Sequence, residues 1–178
     1  MNATTGLLKF LIFGSATMVA ATTSAEAQTI TLKSDFLMSF YATLTSPSVV
    51  NPSYRIFENA GGWVEGPRIK GRIIAPTGDW LRTVAPGVDR LDVRATIQTD
   101  DNQIIYVSYN GISQCPKESI DKLVSGEQLK AEDCYFITAP TFETSSEKYS
   151  WLNAVQAIGK MVELKRGSHV KYEIFMMK

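Results

Sequence analysis

Three carboxylate residues lie beside the glycine-rich bends of the chain: Glu65, Asp79 and Glu143. A carboxyl group that is removed from water beside an aromatic ring has a raised pKa, so it can exchange a proton near neutral pH. Asp79 follows a turn signal and directly precedes Trp80, which predicts a carboxylate and an indole together at the mouth of a barrel. We select Asp79 and Glu65 as candidate catalytic residues, although each carboxylate taken alone is better explained as a surface residue.

Asp92 and Arg94 form a second group, because residues two apart on a strand project from the same face. The other parity of their segment is apolar, with Leu91, Val93, Ala95 and Ile97. In one interpretation the apolar parity fills the core and the two charges form a solvated ion pair worth little free energy. In the other, a partly polar interior encloses a ligand, and Arg94 offers paired hydrogen bonds to a carboxylate or enolate. Both interpretations are open at this point.

The remaining ligand-binding candidates are aromatic or acidic residues of neighbouring segments. Trp80 can stack on a flat ligand, and Tyr106 and Tyr149 can donate hydrogen bonds to the same pocket. Glu143 can accept a hydrogen bond there. No G-x-S-x-G, H-E-x-x-H or G-x-G-x-x-G motif occurs in the chain. Because the chain has one histidine and no C-x-x-C pair, we expect neither a metal nor another cofactor.

The segments that carry these residues have the period of two that is typical of half-buried strands. Alternation is clear over residues 34–45, 90–99 and 168–177. Clusters of Gly, Pro, Asn and Asp separate the segments, and two of these clusters, at residues 59–62 and 76–79, predict turns. The pattern predicts an all-β fold, in the form of a single antiparallel β-barrel or sandwich of about 8 to 10 strands.

Two segments depart from this pattern. Residues 119–129 lie between the two cysteines and are predicted to form a short helical excursion. Residues 151–164 have apolar side chains at helical spacing, but the flanking pattern favours a long strand in which Gly159 forms a bulge.

Cys115 and Cys134 are the only cysteines, and an even number in an exported chain favours pairing. Their disulfide would close a loop of about 20 residues and stabilise the fold by roughly 3 kcal/mol. A redox pair or a zinc site is the weaker alternative, because the spacing is not C-x-x-C and ligands are scarce.

The N-terminal residues 1–27 are interpreted as a secretory signal peptide. Apart from Lys9, the charged residue of a weak n-region, residues 7–21 are mostly apolar or small, and Ala25-Glu26-Ala27 has the small-x-small pattern that precedes cleavage. A membrane anchor is the alternative, but the apolar run is shorter than the ~20 residues that span a bilayer. We expect residues 28–178 to form one domain in the periplasm or the medium, with no stable membrane span after cleavage.

The charge balance of the chain limits the classes of partner that it is expected to bind. The chain has 178 residues, with 18 basic and 18 acidic side chains, so its net charge is zero. This balance gives no electrostatic support for binding nucleic acid, and a small molecule or a protein is the expected partner.

Short motifs occur in a recognisable order along residues 34–177. They are Gly61-Gly62, Gly78-Asp79-Trp80, Leu91-Asp92-Val93-Arg94, Thr99-Asp100-Asp101, Ile105-Tyr106-Val107, Tyr135-Phe136, Phe142-Glu143-Thr144 and Tyr149-Ser150-Trp151-Leu152-Asn153. Together they resemble the bacterial and fungal domain of unknown function 3237 family. The resemblance implies a single-domain antiparallel β-barrel in which residues 151–164 are strand, and it implies no general activity. The export signal, a longer cysteine-bounded segment and one glycine at Thr77-Gly78-Asp79, where the family often has two, differ from the usual pattern.

We therefore expect an exported barrel that binds a small aromatic or carbonyl-bearing molecule in its lumen, through Arg94, Asp79 and Trp80. One alternative is a cofactor-free isomerase, cyclase or lyase, in which a carboxylate moves a proton and Arg94 or a tyrosine stabilises an oxyanion. Another is a protein-interaction module of the cell envelope, with a filled interior and an exposed apolar patch.

Overall fold

The computed structural model describes residues 31–178, which form an antiparallel sheet of ten strands. The strands are β1 (Ser34–Leu44), β2 (Ser48–Asn51), β3 (Tyr54–Glu65), β4 (Lys70–Ala85), β5 (Val88–Thr99), β6 (Ile104–Gln114), β7 (Gln128–Lys130), β8 (Tyr135–Glu143), β9 (Ala157–Lys165) and β10 (His169–Met177). A helix α1 (Lys117–Val124) and a 3-10 helix (Glu147–Ala154) complete the described part. The predicted signal peptide at residues 1–27 lies outside the described residues.

Eight of the strands close into a barrel. Their order is β1-β10-β9-β8-β6-β5-β4-β3, and β3 pairs back with β1 to complete the circle. The short strands β2 and β7 are additions that pair with β3 and β9. Closure leaves no open edge among the eight strands, because each strand is hydrogen-bonded to a neighbouring strand on both sides. The predicted antiparallel β-barrel is therefore confirmed.

The interior is built from one parity of each strand. On β5 this parity is the apolar one, with Leu91, Val93, Ala95 and Ile97 all buried. On β10 the inward residues are Val170, Tyr172 and Ile174, and on β6 they include Ile105, Val107 and Tyr109. Burial of these side chains is the main favourable contribution to folding, as expected for a small barrel whose interior is filled by side chains.

The predicted turns at residues 59–62 and 76–79 are not hairpins. Both lie inside long strands, where the ladder register shifts: between Glu58 and Gly62 on β3, and between Ile74 and Gly78 on β4. Gly62 has φ +148°, and a Cβ there would lie 2.0 Å from the Tyr41 carbonyl oxygen, so only glycine fits. The glycine clusters thus mark bulges rather than strand ends, and bulges bend the strands that carry them.

The cysteine-bounded segment contains the predicted disulfide, with the Cα atoms of Cys115 and Cys134 4.6 Å apart. The predicted helical excursion is also present as α1, but it ends at Val124 rather than continuing to residue 129. Gly126 has φ +87°, a conformation that ends a helix, and the chain then forms β7. Neither helix within residues 31–178 is long and apolar enough to cross a membrane.

The strand predicted over residues 151–164 is partly wrong. The 3-10 helix occupies its first residues, and β9 begins at Ala157. The register shift of β9 lies opposite Lys171 and Tyr172, not at Gly159. A Cβ at Gly159 would lie 2.4 Å from Oγ1 of Thr138, so this glycine permits a close approach between β8 and β9.

Candidate functional site

Asp79 projects into the barrel, because its cross-strand partner Val93 is one of the buried residues of β5. Phe57 on β3 pairs with Asp79 from the other side. These residues surround a small hollow at the end of the barrel where the bulges of β3 and β4 lie. Its wall also includes Phe40, Tyr109 and Tyr172. The bulges and the aromatic residues of β1, β6 and β10 together create an internal site around one carboxylate.

The hollow has a volume of about 40 Å³. A single water molecule needs roughly 10 to 15 Å³ by the same measure, whereas a cavity that holds benzene has about 150 Å³. The hollow therefore accommodates a polar group such as a carbonyl, but not a whole aromatic ring. Leu44, Glu58 and Asn59 also line it, beside the irregular segment of β3.

Burial raises the pKa of Asp79 to about 7, because the charged carboxylate loses its hydration inside the barrel. The negative charges of Asp92 and Asp89 raise this pKa further. A hydrogen bond from the Asp92 backbone N–H to Oδ1 of Asp79, 3.1 Å long, and the positive charge of Arg55 act in the opposite direction. At neutral pH the carboxyl group is thus present in both protonation states, as a general acid or base requires.

Tyr109 and Tyr172 form the aromatic part of the site, with ring centroids 6.0 Å apart in an edge-to-face arrangement. Both are fully buried, and burial together with the nearby charge of Asp79 raises the pKa of each phenol above its ordinary value. Both phenols are therefore neutral near pH 7, and because one hydroxyl donates its proton to the other, the second is available to donate a hydrogen bond to a carbonyl or oxyanion in the hollow.

Arg55 is the arginine on the inward face, and the sequence analysis missed it. Its guanidinium Nη2 donates hydrogen bonds to Thr83 Oγ1 at 2.9 Å and to Asp89 Oδ1 at 3.3 Å. Its Nε is buried and has no hydrogen-bond partner in the structure. Arg55 does not line the hollow, but its positive charge, held by Asp89, lowers the pKa of Asp79.

The interior position expected for Arg94 is wrong. Arg94 pairs with Gly78 and Ser108 on the outer face, and its side chain is 47% exposed. It forms an ion pair with Asp92, whose side chain is 48% exposed. The Arg94 guanidinium also lies over the ring of Trp80, which is on the outer face too. The apolar parity of β5 fills the interior, as the simpler of the two interpretations predicted, because burying aliphatic groups costs no desolvated charge.

The other predicted site residues are dispersed. Tyr106 and Glu143 pair with each other on the outer face. Glu65 is exposed and forms a surface ion pair with Lys70 at 3.2 Å. Tyr149 is buried in the 3-10 helix and donates a hydrogen bond to Oδ1 of Asp101 at 3.0 Å. Of all the predicted residues, only Asp79 lies at the internal hollow. Within residues 31–178 no three His, Cys, Asp or Glu side chains are grouped to hold a metal ion.

A sequence signal for the missed tyrosines did exist. Tyr172 shares the parity of Val170 and Ile174, and Tyr109 shares the parity of Ile105 and Val107. A tyrosine on the apolar parity of a strand is directed to the interior, where its hydroxyl needs a polar partner or a cavity. The position of Arg55 had no such signal, because it depends on the bulge of β3.

A closed eight-stranded barrel with a carboxyl group and two phenols in its interior defines a small β-barrel protein with a polar internal site. The chain belongs to the family described as "Protein of unknown function (DUF3237)", whose model matches residues 31–177. The resemblance inferred from the spaced motifs is therefore confirmed.

Individual relatives agree with this assignment. A UPF0311 protein of Clostridium acetobutylicum is 40% identical over 92 residues, which are 51% of this chain and 58% of that protein, less than two thirds of its length. The crystal structure of a conserved protein of unknown function from Rhodopseudomonas palustris has a TM-score of 0.77 at 26% identity, over 85% of this chain and 100% of that one. An enzyme from Penicillium herquei has a TM-score of 0.63 at 24% identity, over 85% of this chain and 98% of that one, which shows a shared fold.

Proposed function

We propose that the barrel binds a small carbonyl-bearing molecule at the end that contains Asp79, with the carbonyl group inside the hollow. The observation that carries this proposal is a carboxyl group with a pKa of about 7 beside two buried phenols. Protonated Asp79 and the available hydroxyl of the Tyr109 and Tyr172 pair are donors that suit a carbonyl oxygen. Because the hollow is about 40 Å³, the rest of the ligand lies at the mouth, where Phe57 offers an aromatic contact.

The enzymatic version of this proposal is proton transfer without a cofactor. Asp79 would remove or deliver a proton at the carbon beside the carbonyl group, and the tyrosine hydroxyls would stabilise the resulting enolate oxygen. An isomerase, cyclase or lyase of this kind needs one group that titrates near neutral pH and one fixed donor. Asp79 and the tyrosine pair supply them, whereas Arg94, on the outer face, takes no part.

The test uses 2-tetralone, an aromatic ketone with exchangeable α-protons, as the probe. Wild-type protein should bind it, with NMR shift changes at Tyr109 and Tyr172, and should accelerate deuterium incorporation from D2O at the α-carbon. Asp79→Asn should bind the probe but lose the acceleration, because an amide accepts no proton. Glu143→Gln changes an exposed carboxylate on the outer face, so it is the matched control and should behave as the wild type does.

Three results separate the possibilities. Binding without any acceleration by the wild type would support a binding protein and contradict the enzyme. Acceleration that survives in Asp79→Asn would exclude Asp79 as the base. Shift changes confined to the outer face, with none at Tyr109 or Tyr172, would contradict an internal site altogether.

We also propose that the protein is exported, to the periplasm or the medium. The Cys115–Cys134 disulfide supports this proposal, because such bonds persist in oxidising compartments and are rare in the cytosol. The small-x-small pattern before Gln28 supplies the corresponding cleavage signal.

A further inference from the structure

A second and larger depression lies on the outer surface of the barrel, across strands β4, β5, β6 and β8. Its volume is about 530 Å³, within the range of roughly 300 to 1,000 Å³ that is usual for small-molecule sites. The residues that give it chemical character are Trp80, Arg82, Arg90, Ile112, Tyr135 and Ile137. It shares no lining residue with the internal hollow.

The depression follows from the size of the side chains along two cross-strand rows. In one row Asp92 pairs with Asn110, and Asn110 pairs with Ala139, so small groups occupy the centre. Larger side chains rise around them, with Trp80 on β4 and Tyr135 at the start of β8. The outer face is therefore concave where a twisted sheet would otherwise be convex to solvent.

The floor of this outer groove is apolar. In the second row Arg90 pairs with Ile112, and Ile112 pairs with Ile137. The Trp80 ring covers Gly78, where its atoms lie 3.6 Å from the position of a Cβ. Tyr135 is 56% exposed and so offers an open aromatic surface. A flat ring can therefore stack on the phenol and cover the two isoleucines, with the indole, which already contacts Gly78 and Arg94, at its edge.

Two arginines make the groove positive. Arg82 pairs with Arg90 across the strands, and neither has a carboxylate within 4.0 Å among residues 31–178. The guanidinium of Arg82 stacks 3.9 Å from the ring of Tyr54 on the neighbouring strand β3, so it lies at the β3 side of the groove. The acidic residue in the lining, Asp92, is already paired with Arg94. The two unpaired guanidinium groups therefore leave an unsatisfied positive charge at one end of an apolar floor.

We propose that this outer groove is a binding site for a small planar molecule that carries a carboxylate. The ring lies against Trp80, Ile112 and Ile137, the carboxylate accepts hydrogen bonds from Arg90, whose planar donors match its two oxygens, and Arg82 adds positive charge nearby. The site does not depend on the function proposed for Asp79. Consecutive residues of β4 face opposite sides of the wall, so Asp79 serves the interior and Trp80 the exterior.

The experiment titrates the protein with 2-naphthoate and, separately, with uncharged 2-naphthamide, using calorimetry and NMR shift mapping. One equivalent of 2-naphthoate should bind, with shift changes at Trp80, Ile112 and Ile137. Arg90→Gln should weaken binding about tenfold or more, since it removes a charge-assisted hydrogen bond. Arg82→Gln should act in the same direction, and 2-naphthamide should bind at least tenfold more weakly than 2-naphthoate does.

Two controls separate this site from general effects. Arg72→Gln removes an exposed arginine that lies outside the groove on β4, the strand of Arg82. It should leave the affinity for 2-naphthoate unchanged. Asp79→Asn should also leave it unchanged, so that failure of the internal site and failure of the groove are distinguishable. Circular dichroism spectra that match the wild type would show that each variant is folded.

The proposal is overturned by any of four results. They are an absence of binding, an affinity that Arg90→Gln and Arg82→Gln leave unchanged, an equal loss in Arg72→Gln, and shift changes at Tyr109 and Tyr172 in place of the groove. Tighter binding of a hexaglutamate peptide than of 2-naphthoate would also overturn it and would identify an acidic protein partner instead.

Discussion

At the scale of single residues, Asp79 and Asp92 show how the barrel wall gives two linked aspartates different surroundings. The backbone N–H of Asp92 donates to Asp79, yet the Asp79 side chain faces the interior and the Asp92 side chain faces solvent. The interior raises the pKa of Asp79 to about 7 because charge is poorly solvated there. Asp92 instead has Arg94 as a charged partner.

The raised pKa of Asp79 predicts a dependence of stability on pH. An aspartate in an unfolded chain ionises near pH 4, so between about pH 4 and pH 7 the folded protein retains a proton that the unfolded chain has lost. This contribution to stability is complete below pH 4, declines as the pH rises and is absent above pH 7. The whole effect is on the order of 4 kcal/mol.

Asp79→Asn is uncharged at every pH and should remove this dependence. Its free energy of unfolding, measured by urea denaturation, should exceed that of the wild type by a margin that grows roughly 2 to 3 kcal/mol between pH 5 and pH 8. Glu143→Gln changes an exposed carboxylate that is not among the groups shifting the pKa of Asp79, and it should show little such growth. A margin for Asp79→Asn that is constant with pH would show that Asp79 ionises normally in the folded state.

At the scale of elements, the bulges of β3 and β4 shape the internal site. On β3, Val64 and Phe57 both face inward although they are seven residues apart, because β3 has one extra residue between Asn59 and Gly62, opposite Leu44 and Ala42 of β1. A shift of one residue turns every following side chain to the other face. The same shift directs Arg55 inward, towards Asp79.

Gly62→Ala should therefore be far more damaging than an ordinary glycine substitution. Its Cβ would lie 2.0 Å from a backbone oxygen of β1, so the strands would have to separate, and we expect a loss of several kcal/mol or failure to fold. Gly167→Ala is the matched control, because Gly167 has φ +65° but no atom within 4 Å of a Cβ. It should cost about 1 to 2 kcal/mol. Equal losses in thermal or urea unfolding would refute the bulge argument.

The disulfide anchors the excursion that contains α1 and β7. Replacing both cysteines by serine should lower the free energy of unfolding by about 3 kcal/mol, because the unfolded chain regains the entropy of an open loop. The internal hollow has no lining residue in or beside the excursion, so affinity for 2-tetralone should not change. An unchanged midpoint of denaturation in the double variant would mean that the bond contributes nothing to stability.

At the scale of the whole molecule, closure of the barrel separates two chemical environments. The interior contains Asp79 and a volume suited to one polar group, and the outer face contains a wider groove with unpaired arginines. The residues predicted as one pocket are divided between these surfaces. Trp80, Asp92 and Arg94 lie outside, and Asp79 lies inside.

The proposed export of the protein can be tested directly on the full-length chain. The full-length protein, expressed in a bacterial host, should be recovered from the periplasm or the medium with Gln28 as its first residue, as shown by mass spectrometry. Ala27→Phe should block cleavage, because the peptidase requires a small residue there, and should retain the protein in the membrane fraction. A wild-type chain that keeps residues 1–27 in the membrane would support the anchor instead.

The sequence by itself determined the all-β class, the disulfide and the family, and the family resemblance implied the barrel, but the bounds of several strands were wrong. Alternation over β5 and β10 is a local pattern, and the pairing of Cys115 with Cys134 follows from their number and their expected compartment. The spaced motifs identified the family before any contact between strands was known. The sequence also placed Asp79 among the candidate catalytic residues. The stated reason was the adjacent Trp80, whereas the residues that surround Asp79 in the barrel include Tyr109 and Tyr172.

Only the tertiary structure decided which residues share a site. The inward position of Arg55 depends on a bulge that forms when β3 pairs with β1 and β4, and no local pattern contains that information. Tyr109 and Tyr172 meet Asp79 because closure brings β4, β6 and β10 around one interior, although these strands are far apart in the chain. Residue spacing fixes which side chains share a face of one strand, but register and closure fix which faces surround a common space.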